Sequence, residues 1–426
     1  TKTGRLVIRE DQFAFEFGYH CHWPIHQQFI TPAITFQWGQ GLDRAERVLA
    51  EQFDCYEPPP DWAWHTTWFW LHPAWTRGGD YADAEDAAKR LMDECGVNGF
   101  GLTIHDIPHS GNDIDIHSPA PSPALGGHPG LRRLVETIRS RGGHTYAWIS
   151  RNGHRPDSLE YDPDWAIRGC DGRPIRLQHQ PDVGVRVDIV NCNHPGYEAY
   201  LKRWIRYYVE QLGIDGLFWD SGFQPLPPDP NSGDFQQWPG QTNALLARFY
   251  QRMMRFGQSL SPDFFMWAEG INVDIPMNAY SVDARSHGAQ SAHRLMHRLA
   301  HLGPRRLMWR SAWPHDLASG WVMVDRMNDI AFKPDDYRNV ADNPMNHWIC
   351  QHVREHGVRD AVGLAEGVSR NAHCLVAAPG QAGPVVCPDA PSDRLRHVIT
   401  GQMVRGRREA AGIHFELPAD GAYAFQ

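Results

Sequence analysis

From residue 62 onward the chain alternates short apolar runs with stretches whose apolar residues recur at helical spacing, a pattern that predicts strand and helix in turn. The runs that read as strands are 65–71, 99–105, 145–150, a fourth ending at Asp220, 264–269, 279–283 and 306–309. Helical patterns over 81–95, 131–141, 196–212, 242–258 and 290–302 fall between them, and an eighth unit lies between 322 and 357. Eight such units predict an α/β fold of the (β/α)8 TIM-barrel type. An open doubly wound sheet is the rival, but no G-x-G-x-x-G follows the first strand, which weakens a dinucleotide-binding reading.

After Gly357 the pattern changes to short β-like runs such as 373–378 and 414–417, separated by Pro and Gly turns. This predicts a small C-terminal β-sandwich-like domain over 358–426, after a catalytic barrel over 61–357. Residues 1–60 read as the end of an N-terminal β domain with its linker. The chain starts inside what already looks like folded sequence, so a leader or an upstream domain is expected to have been removed. The stretch 151–187 holds Pro, Asp and Arg with little periodicity, and a loop that long is expected to be a lid or binding wall.

Composition narrows the function. The 426 residues, 42% of them hydrophobic, suffice for one large domain with small appendages. A formal net charge of −9 argues against a nucleic acid or an anionic membrane as partner. No run of about 18 apolar residues offers a membrane span. The eight cysteines are scattered without a CxxC pair, which favours free thiols and, slightly, the cytoplasm. The 17 Trp suit both an aromatic-rich core and the apolar faces of sugar rings. Oligomeric state is not legible.

In a parallel barrel the C-terminal strand ends open into the active site, so polar residues there are the candidates for chemistry. Asp220, ending the run Gly216-Leu-Phe-Trp-Asp220, is the first candidate catalytic residue. Glu269 and Asp283 end the fifth and sixth strands. Two carboxyl groups about 5–5.5 Å apart would serve retaining glycoside hydrolysis, one attacking the sugar and the other shuttling a proton. Around them His105, Asp106, Arg151, Asn152, His154, Arg285, His287, Trp309 and Arg310 stand at strand ends where sugar hydroxyls would be met, and Trp68, Trp70 or Trp219 would stack on a ring. Each of these is individually as fit for packing or for the surface.

Metal chemistry competes, because the chain has 24 His. His20-x-His22-x-x-x-His26 precedes the barrel, and His105 with His109 flanks its second strand end, but no His-x-His ends the first strand. No metal or other cofactor is assigned. A metal-dependent hydrolase and a non-catalytic carbohydrate-binding barrel are the alternatives.

The stretch Asp188-Ile-Val-Asn191-Cys-Asn-His-Pro195, a helix, then Gly213-Ile-Asp-Gly-Leu-Phe-Trp-Asp220 resembles the α-galactosidase/α-glucosidase clan of retaining glycoside hydrolases. That resemblance implies a barrel acting on an α-linked sugar, with the strand-four Asp220 as nucleophile and Asp283 as acid/base. Glu269 in Trp267-Ala-Glu-Gly270 instead resembles the strand-five acid/base of α-amylase-like enzymes and endo-α-N-acetylgalactosaminidases. The chain departs from the amylase pattern in carrying Phe218, not Arg, two residues before Asp220.

Overall fold

The computed structural model describes residues 2–9, 12–19, 60–71, 79–104, 107, 119–150, 153–178, 186–220, 226–230, 235–236, 241–269, 279–281, 307–309, 321–322, 342–357, 362–365, 368–377 and 380–426. At the start, β1 (Lys2–Arg9) and β2 (Gln12–Tyr19) form an antiparallel hairpin, with Lys2 opposite Tyr19.

Eight parallel strands follow in a single sheet: β3 (Trp68–Leu71), β4 (Gly101–Ile104), β5 (His144–Ser150), then, past the antiparallel pair β6 (Arg176–Gln178) and β7 (Arg186–Asp188), β8 (Gly216–Asp220), β9 (Phe265–Glu269), β10 (Ala279–Ser281), β11 (Leu307–Trp309) and β12 (Trp321–Val322). Each pairs with its predecessor in chain order. Helices α1 (Tyr81–Asp93), α2 (Gly127–Arg139), α3 (Pro195–Arg206), α4 (Leu246–Leu260) and α5 (Pro344–His356) are the described long helices. Local chemistry sets their starts. Asp80 caps α1 by accepting from the backbone of Ala82 and Asp83, while Asp83 returns a bond to the Asp80 amide. Pro195 occupies the first turn of α3 behind the His194 cap. The helix pattern expected over 290–302 lies outside the described residues.

The stretch expected to be an aperiodic loop is built differently. After β5 the chain forms β6 (Arg176–Gln178) and β7 (Arg186–Asp188), an antiparallel pair extended by bridges His154↔Asp188 and Ala166↔Val190. Its short strands and long turns hide from periodicity, because a two- or three-residue strand shows no alternation. Its apolar side chains, Trp165, Ile167 and Val190, join the same core as the parallel sheet.

Past α5 the chain is all antiparallel. A six-stranded sheet is formed by β13 (Val362–Ala365), β14 (Val368–Arg370), β15 (Cys374–Ala377), β17 (Arg394–His397), β18 (Met403–Arg405) and β21 (Gly421–Phe425). A three-stranded sheet holds β16 (Gly383–Cys387), β19 (Arg407–Glu409) and β20 (Gly412–Leu417). Alternate residues Ile413, Phe415 and Leu417 of β20 are buried with Leu375, Leu395 and Tyr423, the period-2 pattern of a sheet with one packed face. The opposite face of the larger sheet rests Cys374, Val376 and Ala422 on Met345 and Trp348 of α5.

Candidate active site

The parallel sheet presents its residues in level rows. Trp70, Thr103, Tyr146, Gly216 and Phe265 make one row, Trp148, Phe218, Trp267 and Ala279 the next, and Ser150 pairs with Asp220 in the last. Trp219 is the partner of Ala268, so the following residues, Asp220 and Glu269, stand level on adjacent strands. Glu269 is in turn the partner of Ser281, and Ser281 of Trp309.

Beneath that last row the sheet is plugged. Trp62, from the 3-10 turn Asp61–His65, stacks on His144 at 3.5 Å between ring centres. Trp68 meets Tyr146 edge-on at 4.7 Å, and Tyr146 meets Phe265 at 5.1 Å. Glycines make the room: a Cβ at Gly101 would fall inside the Trp68 ring, and one at Gly216 would collide with the Phe265 carbonyl and the Tyr146 ring. With Trp148 and Phe218 buried one row higher, the N-terminal end of the sheet is closed by packed rings. Asp220 and Glu269 stand at the other end of these strands.

The structure corrects three expected sugar contacts. Trp68 is fully buried in the plug, so it cannot stack on a ligand. Trp219 is fully buried on the opposite face, edge-on to Phe249 and Tyr250 of α4, and its Nε1 donates to Met266 Sδ at 3.4 Å. His154 is 1% exposed within Tyr161, Trp165 and Tyr200, with its Nε2 3.2 Å from the Tyr200 hydroxyl, and pins the β6/β7 insertion to α3. Trp70 lies within β3 and Trp309 ends β11. His105, Asp106, Arg151, Asn152, Asp283, Arg285, His287 and Arg310 lie outside the described residues, as do His20, His22, His26 and His109. Among the described residues no three His, Cys, Asp or Glu side chains converge as a metal site, and no helix is long and apolar enough to cross a membrane.

The Asp188-x-x-Asn191 stretch acts here as a fastening. Asp188 accepts from the Tyr161 hydroxyl at 2.7 Å and from Arg176 Nε at 2.8 Å; burial, then the bond to Asp188, drives the Tyr161 ionisation well above its usual range. Asn191 donates to Asp229 at 2.9 Å and to Gln236 at 3.1 Å, and Asn193 donates to the Thr242 carbonyl at 3.0 Å. All five are buried. This knot ties the segment that follows Asp220 to the insertion that follows β5. Sequence reasoning missed Asp229 and Gln236, whose only signal was the neighbouring amide-rich motif.

No protein-family model and no curated protein sequence matches the chain. Its fold is similar to that of solved α-amylases. The α-amylase from Lactobacillus plantarum matches with a TM-score of 0.58 at 13% identity, over 86% of this chain and 100% of that one. The maltogenic α-amylase AmyB from Thermotoga neapolitana matches with 0.59 at 11%, over 86% and 100%. The α-amylase from Geobacillus thermoleovorans, solved with acarbose, matches with 0.55 at 13%, over 85% and 99%. At such identities the likeness is one of fold, to glycoside hydrolases built on TIM barrels, and it does not single out the α-galactosidase/α-glucosidase clan.

Proposed function

We propose that the chain is a retaining glycoside hydrolase acting on an α-linked sugar, with Asp220 as nucleophile and Glu269 as acid/base. The observation that carries this reading is the level placement of these two residues at the open ends of adjacent parallel strands. Neighbouring strands run about 4.8 Å apart, close to the 5–5.5 Å between carboxyl groups that a double displacement needs. On this reading the eight strands close into a (β/α)8 barrel over 61–357, with a β domain over 358–426 and the end of an N-terminal β domain with its linker over 1–60.

The Asp220 carboxylate attacks the anomeric carbon while Glu269 gives its proton to the departing glycosidic oxygen, leaving a glycosyl ester on Asp220 and an ionised Glu269. Glu269 then takes a proton from water as that water attacks the same carbon, and Asp220 leaves as carboxylate. Two displacements restore the starting configuration. The negative charge of Asp220 favours the protonated form of Glu269 before the first step. Asp283 is the alternate acid/base. The α-amylase likeness makes α-linked glucose oligosaccharides the substrates to try first.

Incubation with a panel of 2-fluoro-glycosyl fluorides, followed by intact-mass measurement and peptide mapping, tests the assignment. A glycosyl adduct on the peptide bearing Asp220 is expected with a glucosyl reagent. Activity that EDTA abolishes, with no adduct from any sugar, would make this a metal-dependent hydrolase instead. Binding of oligosaccharide without turnover would make it a carbohydrate-binding barrel.

A further inference from the structure

A cavity of about 500 Å³ lies between α5 and the C-terminal sheet, lined among others by Trp348, Glu355 and three histidines, His352, His356 and His373. His352 is 5% exposed, stacked on Trp348 at 4.7 Å and 4.9 Å from the His356 ring. His356 on the helix lies flat against His373 on the β14–β15 turn, with ring centres 3.8 Å apart and planes at 17°.

The hydrogen bonds fix the protonation that this arrangement tolerates. Asn371 Oδ1 accepts the backbone N–H groups of His373 and Cys374, both at 2.8 Å, so its Nδ2 is the end turned to His352 Nε2 at 3.2 Å. That nitrogen must therefore be an acceptor, which a protonated imidazole cannot supply. A proton on Nε2 would set two donors face to face in a buried site. The stacked pair likewise tolerates one positive charge poorly and two not at all.

We propose that the His352, His356 and His373 cluster is an acid-released latch that holds the C-terminal sheet on α5 at neutral pH and lets go as His352 and His356 take up protons. The groups that face the cluster do not offset this. Glu355 on α5 is 3.7 Å from His356 but largely exposed, and His65, whose Nδ1 lies 3.2 Å from the Arg354 carbonyl, opposes charge on His356 from the same side. Cys374 comes from the sheet side, 3.5 Å from His352 Nε2, with a thiol that burial keeps neutral. The turn at Pro391 and Ser392 and the strand end Ala424 to Gln426 bring only uncharged side chains to the cavity. Burial, then the imidazoles of His356 and His373, holds His352 down at about 3, and burial, then His373, pulls His356 below its usual value of 6.5 against the opposing charge of Glu355. A histidine kept neutral in the closed form and free to protonate in the open one favours opening as pH falls below 6.5. For His352 the open-to-closed ratio rises about 16-fold between pH 6.5 and 5 and about 25-fold between pH 7 and 5, and His356 adds to it in the same direction.

Hydrogen exchange on the full chain at pH 7 and pH 5, corrected for intrinsic exchange rates, tests the latch. Protection of the His373 and Cys374 amides and of the last two turns of α5 is expected to fall at least about 25-fold at pH 5, while β8 and β9 keep theirs. The double variant His352→Gln/His356→Gln, whose side chains cannot titrate, is expected to keep its protection at pH 5, and His414→Gln, outside the cluster, to behave as wild type. If the double variant does not fold, the histidine ring signals of the wild type decide. His352 is expected to take up its proton together with the exchange change. Unchanged protection in the wild type, an equal loss in β8 and β9, or the same loss in the folded double variant would overturn the proposal.

Discussion

Asp220 and Glu269 stand side by side at the ends of β8 and β9, one step beyond the Trp219–Ala268 pair, so two acidic residues share the last row of the parallel sheet. If they divide the work of nucleophile and acid/base, their variants must fail differently. Asp220→Asn is expected to lower kcat by at least about 10⁴-fold with every substrate, because no leaving group compensates for a missing nucleophile. Glu269→Gln is expected to lose about 10²–10⁴-fold on an alkyl or sugar leaving group but far less on a glycosyl fluoride, whose departure needs little protonation. Steady-state rates on the two substrate types check both. Equal losses for Glu269→Gln on both substrates would shift the acid/base role to Asp283.

The plug under that row depends on two missing methyl groups. Gly216→Ala places a Cβ against the Phe265 carbonyl, which is backbone and cannot turn aside, as well as against Tyr146. The expected cost is at the upper end of overpacking, about 3 kcal/mol. Gly101→Ala meets the Trp68 ring first, a side chain wedged among Tyr146 and Phe265, and is expected to cost about 2 kcal/mol. Chemical denaturation of both variants measures the two costs and their order.

The order of strands is readable because β3, β4, β5 and β8 are runs rich in apolar residues, each with an amphipathic helix before the next parallel strand; Trp219 meets α4 while Phe218 lies on the plug side, and Leu217, Phe218 and Trp219 are all buried. The same property hid which tryptophans are free. In a sheet buried on both faces Trp68 and Trp219 carry the same local pattern as a ring set at a binding site, and only the third dimension separates them. Boundaries moved where local chemistry overrode periodicity. Residues 65–67 were expected in the first strand, but the chain there leaves a 3-10 turn ending at His65, and β3 begins at Trp68. The expected helix over 242–258 is divided in the structure into Gln241–Ala244 and Leu246–Leu260.

The amide knot behind Asp220 gives a charge-based test. Asn191→Asp would put a second carboxylate where the 2.9 Å bond to Asp229 now lies, in a site with Asn191 1% and Asp229 3% exposed. Two buried carboxylates at that distance cannot both be ionised, so one is raised well above its usual range. A raised acid binds its proton more tightly when folded, so the variant's deficit is expected to be largest at pH 8 and to shrink as pH falls toward 5. Thermal unfolding across that range checks it. Asn191→Ala is expected to cost about 1–3 kcal/mol at every pH, through the loss of its buried hydrogen bonds to Asp229 and Gln236.

Glu198 joins α3 to α4, accepting from Lys202 at 2.6 Å and from Arg252 at 2.8 Å. Burial alone would raise its pKa, but the hydrogen bonds from Arg252 and Lys202 outweigh that and hold it below 4.5. A carboxyl group lowered on folding stabilises the protein above its unfolded pKa and loses that contribution as pH falls through the folded one. Glu198→Gln is therefore expected to be less stable than wild type by about 1 kcal/mol at pH 7, with the gap closing below pH 4. Urea midpoints at the two pH values measure this, and a gap that persists in acid would assign the loss to packing.

Thiol reactivity separates the cysteines by depth. Burial pushes the Cys350 and Cys374 thiols up to about 12, with only partial offset from hydrogen bonds, those to Asn371 in the case of Cys374. At pH 8 about one in 10⁴ of either would be thiolate, the form that reacts. Cys170 lies exposed on the turn between Gly169 and Gly172. Brief treatment of the folded protein with iodoacetamide at pH 8 is expected to label Cys170 and to leave Cys350 and Cys374 unmodified until denaturant is added. Since Cys374 rests on α5, early labelling of Cys374 in native protein at pH 8 would mean that the C-terminal sheet leaves the helix without acid, and peptide mapping over a time course would show it as a second, slower phase after Cys170.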